Sequence, residues 1–409
     1  MVLLTVLFSL VFCGAVAAAD GQWKMETVDN NLGGMTSLDN SIAVDNLGNP
    51  HISYYDSNTE DLKYASKTGD NPWQTETVDT AGNVGLDTSL ALDGSNNPHI
   101  SYYDKTNNLV KYAYKIDNNP WQIENVDTAL TYHTSLALDN HGNPHISYHD
   151  QTTNLVKYAY KIYNNPWQIE NVETVATGYT SLALDAQSNP HISYFDNTNN
   201  IVKYAYHIGG SPWEIENVAV NIGTWENSAI AVDGWGNPHI AYTSASGLIH
   251  TAWNGVSWDK TTVDPTHGGF VYDLAFDASG NPHIYYEDVF SGGNDNIQKY
   301  ASFMAAGWNI QEVKRLAKGM GVLSSMALDN SGNPHISYIY YGTLVYVHFS
   351  PSTDLSDPSS SSSSSALVKA ASTSKETNSA VGMQETGTSI LGLLLASLML
   401  LGGLITSKK

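Results

Sequence analysis

Short apolar runs separated by polar punctuation fill most of the chain, and within the repeats they never take the three-to-four-residue spacing of a helix. In one copy the runs are Ser135 to Asp139, His145 to Asp150, Leu155 to Lys161 and Trp167 to Val172. They are rich in Ile, Val, Tyr and Trp and are divided by Asn, Asp, Gly and Pro, which predicts four strands. The unit returns seven times. Asn-Pro-His-Ile begins at Asn49, Asn97, Asn143, Asn189, Asn237, Asn281 and Asn333, at separations of 44 to 52 residues. Four strands per period of this length make one propeller blade, so the predicted fold is all-β, a seven-bladed β-propeller with four antiparallel strands per blade.

The connection between the first two strands reads Asp-x-x-Gly-Asn-Pro. The Asp side chain can cap a turn, the residue three later needs positive φ, and the proline, with no N–H to donate, belongs at a strand's start. Gly48, Gly142, Gly236, Gly280 and Gly332 fill the positive-φ position; Asn96 is tolerable there and Ser188 fits poorly. Two columns never vary. One is the alanine of the first strand (Ala43, Ala91, Ala137, Ala183, Ala231, Ala275, Ala327), as crowding round a central axis requires. The other is the turn aspartate (Asp45, Asp93, Asp139, Asp185, Asp233, Asp277, Asp329), a ring of identity that points to scaffold.

Trp23 to Asp29 matches a fourth strand such as Trp73 to Asp79, whereas the seventh unit stops at Phe349 after three strands. The N-terminal segment therefore completes blade seven, and the closed ring leaves no free edge there. The fourth-strand tryptophans are Trp23, Trp73, Trp121, Trp167, Trp213, Trp258 and Trp308.

The pattern Leu136-Ala137-Leu138-Asp139-Asn140-His141-Gly142-Asn143, followed by a strand, resembles repeats of NHL-type and related bacterial and archaeal surface propellers. The resemblance covers about Trp23 to Phe349 and implies the fold, not an activity. Where such repeats continue Gly-Asn into an apolar residue, this chain has Pro-His.

Both ends differ from the repeats. Residues 1–19 are apolar, end in Ala17-Ala18-Ala19 and read as a secretory signal peptide cleaved before Asp20, with the propeller following over residues 20–350. The single cysteine, Cys13, lies in that leader, so the mature chain is expected to have no thiol or disulfide. Residues 351–387 are dominated by Ser, Thr and Ala and read as a disordered stalk. In residues 388–409, Ile390 to Ile405 carries no charge and precedes Lys408 and Lys409, the pattern of one transmembrane helix with a cytoplasmic basic tail. Met383-Gln384-Glu385-Thr386-Gly387 before it resembles a cell-wall sorting signal, with Met-Gln where Leu-Pro is usual; the resemblance implies cleavage between Thr386 and Gly387. The C-terminus as a whole is similar to that of adhesin-like surface proteins of methanogenic archaea. Covalent transfer and a retained membrane anchor are both open on this reading.

Eighteen basic against 40 acidic residues give a formal net charge of −22, which argues against a nucleic-acid partner. No Asn-x-Ser/Thr acceptor occurs. The repeated His51, His99, His145, His191, His239, His283 and His335 stand one per blade, too dispersed to share a metal ion. They are expected to join Asp and Ser in a buried hydrogen-bond network within each blade. Asp56, Asp104, Asp150, Asp196 and Asp288 could pair as glycosidase carboxylates, yet as repeated positions they read as turn caps. One arginine, Arg315, excludes the arginine triad of sialidases; no Asp-x-Asp-x-Asp-Gly calcium loop and no Gly-x-Ser-x-Gly elbow is present. No catalytic residue, metal or cofactor is assigned.

Function is expected where the repeats differ. The connections into the first strands of blades three to six carry Tyr132, Tyr179, Trp225 and Phe270, with His133 and Asn227 beside them. Blades one, two and seven offer Met35, Leu38, Val84, Leu86, Met320 and Val322 instead. Aromatic faces suit sugar C–H surfaces. The reading is a monomeric, surface-displayed adhesin-like or carbohydrate-binding module with a glycan or envelope polymer as partner. A purely structural envelope protein is the alternative, and a polysaccharide lyase or hydrolase is the third.

Overall fold

The structure is a computed structural model that describes residues 21–33, 39–131, 133–175, 179–220, 227–265, 269–289, 295–317 and 323–351. The leader, the Thr386-Gly387 motif, the stalk beyond residue 351 and the apolar C-terminal segment lie outside the described residues. No helix among those described is long and apolar enough to cross a membrane.

Seven four-stranded antiparallel sheets form a seven-bladed propeller. In blade three the strands are Thr134–Leu138, Pro144–Asp150, Leu155–Tyr160 and Gln168–Thr174, within two residues of the sequence reading. Every second strand starts at the proline of the turn, as its missing N–H requires. Gly48, Asn96, Gly142, Ser188, Gly236, Gly280 and Gly332 all have φ between 64° and 88°, so the position demands the left-handed conformation and Ser188 holds it under strain. Blade seven consists of Ser324–Leu328, Pro334–Tyr340, Thr343–Pro351 and Gly21–Asp29, the last pairing antiparallel with the third strand and closing the ring.

The apolar core is divided among the seams between blades. One cluster joins Val110, Tyr112 and Val126 of blade two to Leu136, Ile146 and Tyr148 of blade three, and its counterparts repeat round the ring. The fourth-strand tryptophans seal the seams. Each sits edge-on to an aromatic of the preceding blade, for example Trp167 on Tyr112 and Trp213 on Tyr158, with centroids 5.3 and 5.4 Å apart; at the closure Trp23 packs on Tyr300. The fourth strand carries a bulge in all seven blades, where register skips Val28, Val78, Val126, Val172, Val218, Val263 and Val313. The extra residue increases the local twist, and six of these valines are buried in the seams.

Candidate functional site

Both ends of the first strands carry the chemistry. At the turn end, the Asp139 carboxylate accepts from the backbone N–H groups of His141 and Asn143 at 2.8 and 2.9 Å and from the Asn143 amide at 2.8 Å. The same set recurs in the other blades, as at Asp45 and Asp329. Burial raises the pKa of these carboxylates, but the donated hydrogen bonds outweigh it and hold them below the usual range. Asn143 in turn accepts from Tyr163 N at 2.7 Å, fastening the loop between strands three and four.

The repeated histidine bridges this turn to the third strand. His145 directs Nε2 toward Asp139 at 3.9 Å, and its Nδ1 meets the Tyr158 hydroxyl; His191 meets Tyr204 at 2.6 Å and His335 meets Tyr346 at 2.6 Å. Blade five uses His250 in place of the tyrosine, 3.0 Å from His239. Burial depresses the histidines, His145 to about 4, so the ring is neutral between the Asp139 carboxylate and the Tyr158 hydroxyl. The expected Asp, His and Ser network is corrected here. The third partner is tyrosine, because the serine two residues beyond the histidine bonds to the next blade instead.

Those second-strand serines bond across the seams, as Ser101 with Thr134 at 2.7 Å and Ser147 with Thr180 at 2.9 Å. A second ring lies inside them. Ser41, Ser89, Ser135, Ser181 and Ser325 accept from the first-strand N–H of the following blade at 3.0 to 3.3 Å, and Asp273 does the same for Met326 at 2.7 Å. Ala229 interrupts this ring in blade five. There the Asn227 amide donates to Val271 O at 2.6 Å and accepts from Val271 N at 3.2 Å instead.

The second-strand aspartates cap the turns that follow them and anchor lysines. Asp150 accepts from Thr152 N at 3.0 Å and pairs with Lys157 at 2.9 Å; Lys157 also reaches Asp127 of the preceding blade at 2.9 Å. Among the described residues no group of three or more His, Asp or Glu is placed to hold a metal ion.

At the opposite end of the first strands an axial cavity of about 170 Å³ opens. The column four residues before the invariant alanine lines it, and its seven members are of six types: Asp39, Asp87, His133, Tyr179, Asn227, Val271 and Leu323. Tyr179 stacks on His133 with centroids 3.7 Å apart and planes at 24°. His133 Nδ1 lies 3.5 Å from Asp87, whose N–H donates to Asp39 at 3.0 Å. Burial, together with mutual repulsion, raises the pKa of the Asp39 and Asp87 pair. Burial also lifts Asp273 to about 7 in spite of the Met326 N–H, and it pushes His133 down to about 3. Tyr272, beside Asp273, donates to Glu287 at 2.9 Å.

Of the residues singled out in the sequence, His133, Tyr179 and Asn227 come together at the cavity, and Asn227 has both ends of its amide engaged on Val271. Phe270 is half-buried one residue outside the ring, its carbonyl accepting from Glu287 N at 2.8 Å. Tyr132 and Trp225 lie outside the described residues. Sequence reasoning missed Asp39, Asp87, Tyr272 and Asp273. Aligning the seven units on their alanines and comparing columns, instead of searching the loops for aromatics, would have found them.

No family model matches the chain, and no curated protein matches it. Solved structures match in fold. A catalytically inactive virginiamycin B lyase from Staphylococcus aureus with quinupristin aligns at 11% identity and a TM-score of 0.55, over 80% of this chain and 99% of that one. An ulvan lyase from a new family of polysaccharide lyases aligns at 14% identity and 0.52, over 81% and 94%. A mutant of AofleA from Arthrobotrys oligospora aligns at 10% identity and 0.51, over 73% and 93%. At such identities the likeness is one of architecture.

Proposed function

We propose that the protein is a carbohydrate-binding propeller displayed at the cell surface, adhesin-like, which takes a sugar unit at the axial mouth. The observation that carries this reading is the column round the cavity, six residue types in seven blades, set between rings that the chain keeps nearly uniform. Scaffold alone gives no reason for that column to vary so widely from blade to blade. Its volume is below the few hundred Å³ of drug-sized pockets, which suits one sugar residue at the end of a chain. The Tyr179 and His133 stack offers an apolar face, with Tyr132, Trp225 and Phe270 in the adjoining connections and Asn227 as a positioning residue. No lysine or arginine lines the cavity, so a neutral or cationic sugar is favoured over a uronate. The ulvan lyase likeness concerns the fold; it puts polysaccharides among the first ligands to try.

The reading extends to the termini through the sequence alone: a leader over residues 1–19, a stalk over 351–387 and an anchor over 388–409, with Thr386 and Gly387 as a sorting point, the C-terminal part resembling that of adhesin-like surface proteins of methanogenic archaea. A glycan-binding screen on the full-length protein tests the central claim. Saturable binding lost in Tyr179→Ala with Trp225→Ala, at a cost of only a few degrees in Tm, is expected. Unaltered affinity in that variant removes the axial site, and no binding to any glycan or envelope polymer favours a structural role. One observation favours a lyase as the second reading: Asp273, held near neutrality beside Tyr272, has the pKa of a general acid or base. New chain ends appearing in a bound polysaccharide would establish it.

A further inference from the structure

The end of the ring opposite the axial cavity carries the Asp turns and the loops between strands three and four. In blades one to four one residue of that loop is left-handed and donates its N–H to the turn asparagine: Gly69, Asp117, Tyr163 and Gly209, at φ of 54°, 53°, 52° and 57°. Glycine adopts this conformation freely and aspartate tolerates it, but an aromatic residue is strained there. Tyr163 has no packing role to justify the strain, being 66% exposed. Its neighbour is His141, also largely exposed, at the turn position held by Ser95 in blade two and Gln187 in blade four; the two rings meet edge to face with centroids 6.3 Å apart. Leu47 and Trp235 are exposed at the same turn position in blades one and five, but there no aromatic side chain takes the loop position that Tyr163 holds.

The pair rims a groove of about 220 Å³ between blades two and three, lined also by Tyr114, Ile116, Asp93 and Lys161. Its charges are already compensated. Asp93 accepts from Ser95 N and Asn97 N, and Lys161 pairs with Glu124 at 2.6 Å. A groove with an exposed aromatic face, polar edges and no free charge matches a neutral pyranose. We propose that this groove is a second ligand site, on the opposite end of the ring from the axial cavity, which stacks the C–H face of a neutral sugar on Tyr163 beside His141.

The test is an immobilised panel of neutral and uronate-containing oligosaccharides, probed with full-length wild type, Tyr163→Gly, His141→Ser and Tyr179→Ala, with hits titrated by calorimetry. Tyr163→Gly should weaken at least one neutral glycan by about tenfold or more. It should also leave Tm unchanged or raised, because glycine relieves the left-handed strain. His141→Ser should cause a smaller loss on the same glycan, and Tyr179→Ala none. The proposal is overturned if Tyr163→Gly leaves every affinity unchanged, if it lowers Tm by more than a few degrees, or if the wild type binds nothing on the panel. A glycan lost only in Tyr179→Ala would uphold the axial site while overturning this one.

Discussion

Asp39 and Asp45 stand six residues apart, on either side of one first strand, a span of about 20 Å. They are the same residue type in opposite circumstances. Asp45 belongs to a ring of seven identical residues whose carboxylates are saturated with N–H donors, and its pKa is lowered. Asp39 belongs to a ring of six residue types in seven positions, is buried with the Asp87 carboxyl beside it, and has its pKa raised. One end of each blade uses charge to hold the fold. The other end, in blades one and two, keeps charge where it costs stability, as binding sites do.

Breaking the ring itself affects both ends at once. Removal of Asp20 to Asp29 takes away Trp23, which packs on Tyr300, and Glu26, which accepts from Lys67 of blade one at 2.6 Å, so two seams open together. Loss of Trp23 burial alone is worth up to about 5 kcal/mol. The expected outcome is a large drop in Tm and self-association through the bared edge of blade seven, read by calorimetry and sedimentation. An unchanged monomeric melt would refute closure by this strand.

Next in size is a single carboxylate of the turn end. Asp139→Ala strips the acceptors from His141 N, Asn143 N and the Asn143 amide and leaves His145 facing no carboxylate, a loss of about 3 kcal/mol in chemical denaturation. The mirror substitution, Asp87→Asn at the mouth, should do the reverse. A carboxyl whose folded pKa is raised destabilises once pH climbs past its unfolded value, so the variant should gain about 1 kcal/mol at pH 8 and less at pH 5. If both substitutions destabilise alike at pH 8, the contrast between the two ends fails.

Acid titration sums over the two ends. Twelve described histidines have pKa values lowered by burial, so between their folded values and about 6.5 the unfolded chain binds protons that the native one refuses. Four buried acids, Asp39, Asp87, Asp273 and Glu287, act in the opposite sense, since the native state binds their protons first. The histidines outnumber them. Tm should therefore fall steadily from pH 7 to pH 5, and a flat or rising profile would mean that the four buried acids outweigh the histidines.

The smallest effect concerns a fault in the uniform ring. Ser188 holds φ 64° where five blades have glycine, and Ser188→Gly should add about 1 kcal/mol, a rise of a few degrees at most in Tm.

Much of this protein was legible from neighbours in sequence. Strand alternation, the Asp-x-x-Gly-Asn-Pro turn and the orphaned Trp23 strand are patterns of the repeat, and their recurrence along the chain determined blade count, strand order and closure without knowledge of any contact between blades. The turn-cap role of Asp150 was readable for the same reason. What only the tertiary structure decided involves the adjacent blade, some 47 residues away along the chain. The partner of Ser135 is Leu182 N, the partner of Ser147 is Thr180, and the bulged Val172 turns into a seam that one unit does not contain. The same holds for the mouth. His133 and Tyr179 stand out in a linear reading as loop residues, whereas Asp39 and Asp87 do not; together they become a cavity with raised carboxyls and a stacked pair because ring closure brings seven first strands to one axis, where burial and the other blades' charges set the chemistry.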